Sequence, residues 1–165
     1  MKSVAIDKEN FKESMRLLAG AVNIVTTQGE AGSGGFTATA VCSVTDTPPT
    51  LLVCINKENE LAEVILKNKK LAVSILPESE ENLANRFAGM DGVSMQARLQ
   101  KGEWKYLTTG CPVLLNALTA FDCLVESVIE QGTHLVIFAQ IVAVKPTQEQ
   151  APLLYFNRGY RTTNS

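Results

Sequence analysis

Apolar and polar positions change rhythm repeatedly along this chain, and those changes mark its elements. Asp7 stands as a cap before residues 8–19, where Phe11, Met15 and Leu18 recur at helical spacing and Gly20 supplies a stop. Residues 21–27, AVNIVTT, predict a first strand, and 28–35, QGEAGSGG, a flexible turn. Residues 36–43 predict a second strand built, after Phe36, from small or β-branched side chains. Asp46 and Pro48-Pro49 break it, because proline has no N–H for a sheet and holds the chain extended. TLLVCI, 50–55, is apolar and β-branched, the pattern of a buried strand. The polar cluster 56–60 follows, with Asn59 placed to start a helix through Leu61, Val64 and Ile65 to the KNKK run. Residues 71–76 predict another buried strand. Residues 78–89 predict a short helix with Leu83 and Phe87 inward and Gly89 at its end. Residues 90–112, with Trp104, predict a long loop. Residues 113–131 predict two strands or one long bent strand, and Gly132-Thr133-His134 the next turn. The remainder predicts a strand over 135–146, then a final short strand over 152–161 with an aromatic, basic tip.

This gives about seven strands and three helices, with strands in runs rather than in strand–helix alternation. That order argues for a mainly β fold, an antiparallel barrel with peripheral helices, and against a doubly wound sheet. A length of 165 residues suits one domain over 1–165, and 45% hydrophobic residues is enough for a real core. No repeat or linker divides it.

Charge and cysteine usage narrow the partners. A net charge of −2 leaves no basic footprint for nucleic acid. No apolar run approaches the ~20 residues that span a bilayer, and MKSVAIDKEN lacks the apolar stretch of a secretory signal, so the expected address is the cytoplasm. Cys42, Cys54, Cys111 and Cys123 form no Cys-x-x-Cys pair and His134 is the only histidine, which predicts no metal site. The glycines of 29–35 miss the dinucleotide fingerprint G-x-G-x-x-G, whose last position would be Thr37, and there is no P-loop.

Three places carry candidate chemistry. The strand of Thr37, Ala38, Thr39, Ala40, Val41 and Ser43 has so little side chain that its main-chain groups stand accessible. That suits a flat polar heterocycle held by backbone hydrogen bonds, or simply close packing of a neighbouring element. Asn56, Lys57 and Asn59 lie at a helix start, where free N–H groups attract phosphate or are capped and solvated. Arg86, beside Phe87, reaches either a phosphate or water.

The run GFTATAVCSVTDTPP, followed by VCIN, RFAGM, GTHLV and the ending LLYFNRGYR, resembles the short-chain flavin reductase family over nearly the whole chain, about 11–161. Within that family it is most similar to the reductase components of 4-hydroxyphenylacetate 3-monooxygenases. The resemblance implies an FMN-binding split barrel acting as a homodimer. It implies NADH-dependent reduction of free FAD or FMN, with NADPH left open as donor, and reduced flavin passed to a separate oxygenase. A non-catalytic FMN carrier or sensor on the same barrel is the alternative. By the same resemblance the flavin ring and ribityl chain lie along Thr37 to Val41 and Ser43. The phosphates lie near Asn56, Lys57, Asn59 and Glu60, and Arg86 and Phe87 add contacts. His134, Gly159, Tyr160 and Arg161 face the nicotinamide nucleotide. Hydride transfer from nicotinamide to flavin asks for no protein acid or base. Two positions depart from the family pattern. Relatives often carry Asn or Ser at Thr39, and a histidine at Arg161, which leaves flavin preference and nucleotide grip open.

Overall fold

The first half of the chain is two hairpins in succession. In the computed structural model, which describes residues 6–163, α1 (Lys8–Met15) leads into β1 (Gly20–Ala21) and β2 (Asn23–Gly29). After a turn at Glu30-Ala31, β3 (Gly32–Ala38) runs back along β2 with Phe36 opposite Val25. The glycine-rich stretch expected to be a turn is therefore mostly strand. A Cβ on Gly35 would stand 2.6 Å from the Phe87 ring, and one on Gly34 would stand 2.6 Å from the Met95 sulfur and 2.9 Å from Leu61. Glycine is used here so that helices can lie against the strand. The strand expected over 36–43 breaks at Thr39-Ala40, and β4 (Val41–Asp46) opens a second hairpin with β5 (Pro49–Asn56).

The helix after β5 forms where it was expected. The Asn59 side chain accepts from the Leu61 N–H at 2.9 Å, and α2 (Leu61–Asn68) buries Leu61, Ala62 and Ile65. Lys69, at φ 55, ends it in a left-handed cap. Next come β6 (Lys70–Ile75), a 3-10 turn (Glu78–Glu80) and α3 (Glu81–Phe87), which points Leu83 and Phe87 inward as expected. Residues 90–112 are not a plain loop: they hold α4 (Met95–Arg98), β7 (Trp104–Tyr106) and the start of β8 (Pro112–Leu114). The open choice over 113–131 resolves as the end of β8 and a thirteen-residue β9 (Thr119–Gln131). Gly132-Thr133, with Gly132 at φ +56, makes a two-residue hairpin turn into β10 (His134–Lys145), so His134 is a strand residue. The chain closes on the hairpin of β11 (Leu154–Phe156) and β12 (Gly159–Arg161). Among the described residues, twelve strands and four α-helices thus stand where about seven and three were expected. The extra strands are too short to show a period in sequence. No helix among the described residues is long and apolar enough to cross a membrane.

Seven strands form one antiparallel sheet in the order β3-β2-β6-β9-β10-β5-β4. Its two edges, β3 and β4, are consecutive in sequence and joined only by Thr39-Ala40, so the sheet is rolled until its edges approach. No strand pairing joins β3 to β4, so the ladder is not closed. The interior of the roll is one core that takes Phe36 and Ala38 from one edge and Val41 from the other, with Val53, Val73, Cys123 and Ile137 between them and α2 inserted. A second core lies outside the roll. There Val22, Ile24, Leu76 and Leu153 meet Leu83, Ala84 and Phe87 of α3, and Leu114. The face of α1 is left uncovered: Phe11 is 55% exposed and Leu18 69%.

Candidate functional site

Two clefts meet where β3 passes under the end of α3. The Thr37 hydroxyl donates to the Ala84 carbonyl at 2.6 Å, which fixes α3 against the strand. On one side of Thr37 and Ala88 is a polar cleft of about 530 Å³, walled by Phe36, Phe87 and Gly89, by Glu58, Asn59 and Glu60 of the β5–α2 turn, and by Val93, Ser94, Met95 and Arg98 of α4 and its approach. On the other side is a more apolar cleft of about 330 Å³, walled by Val22, Thr39, Asn85, Met90, Tyr155, Arg158, Gly159 and Tyr160. Both fall within the range of small-molecule sites. Thr39 and Tyr155 also border a third, apolar hollow of about 410 Å³ under Phe11, Met15 and Leu18 of the α1 segment.

The break between the edge strands leaves donors free. The Thr39 carbonyl accepts from the Val41 N–H at 2.9 Å and the Ala40 carbonyl from the Cys54 N–H at 3.0 Å. The N–H groups of Thr39 and Ala40 donate to no acceptor among the described residues. The Thr39 N–H thus stands at the edge of the apolar cleft, and the Ala40 N–H at the hollow under the α1 segment. The one side of β3 that faces away from β2 also has no strand partner.

The structure gathers some of the sequence candidates and separates others. Thr37 and Thr39 line the clefts, as do Phe87, Asn59, Glu60, Gly159 and Tyr160. Ala38 points into the core and Val41 packs against it; Ala40 and Ser43 are exposed on the far side of the break. Arg86 borders neither cleft at Thr37. It turns to the opposite side of α3, donates to Asp91 at 2.8 Å and the Ala97 carbonyl at 3.1 Å, and lines a separate cleft with Glu80, Lys101 and Asn116. Adjacent positions of a helix diverge by about 100°, so Arg86 and Phe87 do not share a face. Lys57 is ion-paired with Glu130. His134 sits opposite Asn56 in the β10–β5 ladder, bonded through Nδ1 to the Thr133 hydroxyl at 2.9 Å, and borders neither cleft at Thr37. Arg161 donates to the Tyr160 carbonyl at 2.6 Å. Sequence reading missed Arg98, Met95 and Ser94 because the stretch holding them looked like loop. It missed Tyr155 because the tip was read as one strand rather than a hairpin.

Burial shifts four groups, Cys54, Cys123, Lys145 and Tyr160. It raises the Tyr160 phenol above its ordinary value, with Glu81 and then Tyr155 adding to the effect, so Tyr160 keeps its proton and remains a donor at neutral pH. It also pushes the Cys123 thiol up to about 12, which leaves that cysteine a core residue without reactivity. Among the described residues no three His, Cys, Asp or Glu side chains cluster as metal ligands.

Comparison with known proteins gives a consistent picture. A family model described as a flavin reductase like domain matches residues 15–164. An FMN reductase (NADH) RutF of Yersinia enterocolitica is 48% identical over 160 residues, 97% of this chain and 87% of that protein. The solved flavin reductase PheA2 superposes with a TM-score of 0.88 at 29% identity, covering 97% of this chain and all of that one. The styrene monooxygenase flavin reductase of Pseudomonas putida S12 superposes at 0.82 with 25% identity, covering 94% and 99%. None of these three ties the chain to a 4-hydroxyphenylacetate monooxygenase.

Proposed function

The chain belongs to the flavin reductase-like family, and from that premise we propose that it reduces free flavin, FMN or FAD, with NADH. One observation carries the reading: the unpaired Thr39 N–H stands beside an apolar cleft that joins a polar one at Thr37, with the unpaired Ala40 N–H at the adjoining hollow. A flavin is a flat ring system with a polar edge and a charged tail. The apolar cleft with Tyr155 and Tyr160 matches the ring, the free Thr39 N–H matches its polar edge, and the polar cleft matches the tail. When bound, flavin supplies the acceptor for a hydride from the nicotinamide. The chain's part is to orient the two rings and to exclude water. The Thr39 N–H, fixed by the strand break, would stabilise negative charge on the reduced ring.

The finer reading follows the same line. The rolled sheet with unpaired edges is taken as the split barrel. The uncovered α1 face and the hollow beneath it are taken as a homodimer contact near the flavin, and sedimentation giving only monomer at micromolar concentration removes that part. Delivery of reduced flavin to a separate oxygenase is supported by the likeness to a styrene monooxygenase flavin reductase, and a cytoplasmic address is part of the same proposal. An aromatic substrate of the 4-hydroxyphenylacetate type rests on the sequence motifs alone.

The test is NADH oxidation by purified protein with and without added FMN, FAD and riboflavin. A rate that depends on added flavin supports the reductase. A yellow protein indifferent to added flavin makes it an FMN carrier, and no oxidation with any flavin ends the proposal. His134 is tested in the same assay. If it touches the nucleotide, His134→Asn raises the NADH KM by roughly three- to tenfold, the worth of one hydrogen bond, and leaves flavin binding intact. An unchanged KM moves the nucleotide to the Tyr160 side.

A further inference from the structure

The flavin reading needs a cation for the phosphate tail, and the two expected ones are committed elsewhere: Arg86 to Asp91 across α3, Lys57 to Glu130. The polar cleft holds a different one. Met95 is buried against Gly34, which pins α4 to β3 and brings Arg98 into the cleft wall. The Arg98 Nη1 donates to the Phe87 carbonyl at 3.1 Å and lies 3.5 Å from the Gly35 carbonyl, and Nε lies 3.4 Å from the Val93 carbonyl. All three partners are neutral. Arg16, Arg86 and Arg158 each pair with a carboxylate, whereas Arg98 has none within ion-pair distance among the described residues. Its Nη2 makes no hydrogen bond among those residues and lies 2.9 Å from where a Cβ of Gly89 would stand. Gly89, at φ +79, therefore leaves room for the guanidinium beside the cleft.

We propose that Arg98 is the anion-binding residue of the polar cleft and selects flavins that carry phosphate over riboflavin. The carbonyls hold the planar fork in one orientation without neutralising it, so little side-chain freedom remains to be lost when a phosphate oxygen takes Nη2. Glu58 and Glu60, across the same cleft, disfavour an anion at the β5–α2 turn and restrict the phosphate to the α4 wall. This moves the phosphate from the 56–60 turn, where the sequence motif placed it. The inference rests on the flavin reading given above.

The experiment is the affinity of FMN and of riboflavin, read by flavin fluorescence at fixed ionic strength, for the unmodified protein, Arg98→Gln and Arg98→Lys. FMN is expected to bind the unmodified protein at least tenfold more tightly than riboflavin. Arg98→Gln is expected to lose FMN affinity by roughly ten- to hundredfold, the range of one charge-assisted hydrogen bond, with riboflavin affinity unchanged. Arg98→Lys restores part of the preference. Riboflavin is the control for a disturbed fold, since a damaged cleft loses both ligands together. Equal loss of both, or an unchanged FMN affinity in Arg98→Gln, overturns the assignment while the flavin reading stands. A protein that binds neither flavin overturns both.

Discussion

Replacing Phe87 with alanine is expected to cost about 3–5 kcal/mol of stability, the usual penalty for emptying a phenylalanine site in a core. Phe87 is 1% exposed. Its ring lies under Gly35 of β3 and packs at a tilt on Trp104, with ring centroids 5.6 Å apart. It belongs to the outer core that holds α3 to the sheet, and it also forms part of the polar cleft. The glycine opposite leaves nothing on the strand side to fill the space, so the hole persists unless α3 sinks toward β3. Either outcome disturbs the cleft wall, and flavin binding should weaken along with stability. Phe87→Leu keeps most of the volume and should lose less than half as much. Chemical denaturation of the three proteins measures this. A loss below about 1 kcal/mol for the alanine variant would show that α3 does not depend on Phe87 for its seat.

Thr39→Arg is expected to do the opposite: spare the fold and remove flavin binding. Thr39 is exposed at the break between β3 and β4 and faces both the apolar cleft and the hollow under α1. A substitution at such a position normally changes stability by less than about 0.5 kcal/mol. The arginine chain, however, must lie in one cavity or the other. In the apolar cleft it overfills the space assigned to the ring, at a cost of about 1–3 kcal/mol, which is roughly five- to more than hundredfold in affinity. Fluorescence titration with FMN alongside a melting curve reads both quantities. Unchanged affinity in a folded variant places the ring elsewhere.

The sequence displayed these elements unevenly, for reasons visible residue by residue. Buried strands such as 50–55 and 71–76 stood out because short apolar, β-branched runs between turn residues suit little besides a strand covered on both faces. The helix 61–68 stood out through Leu61, Val64 and Ile65. The glycine stretch 32–35 misled because glycine signals a turn locally, whereas here it answers to Phe87, Met95 and Leu61, which lie far along the chain. Local patterning carries no trace of such a constraint. Arg98 was hidden for a related reason: four residues of α4 are too few for a period, and what places them is one buried methionine. Thr37 and Thr39 stood out as part of a strand with little side chain, and Tyr160 through the family motif, since an aromatic residue alone does not announce a cleft. Arg86 stands apart from the clefts at Thr37 because the motif gives its position in the chain but not its direction on α3.

The strand order has a consequence for how the protein is made. The chain delivers the hairpins β2–β3 and β4–β5 first, then β6, and only much later the β9–β10 hairpin that inserts between β6 and β5. At about 5–20 residues per second, the roughly 70 residues from the end of β6 to the end of β10 take several seconds to leave the ribosome. During that interval the apolar strands TLLVCI and LAVSI have neighbours on one side only, each presenting a bare row of N–H and C=O groups. The last long hairpin is thus the wedge that joins the two halves of the rolled sheet, and a nascent chain halted before residue 119 has two sticky margins and nothing with which to join them.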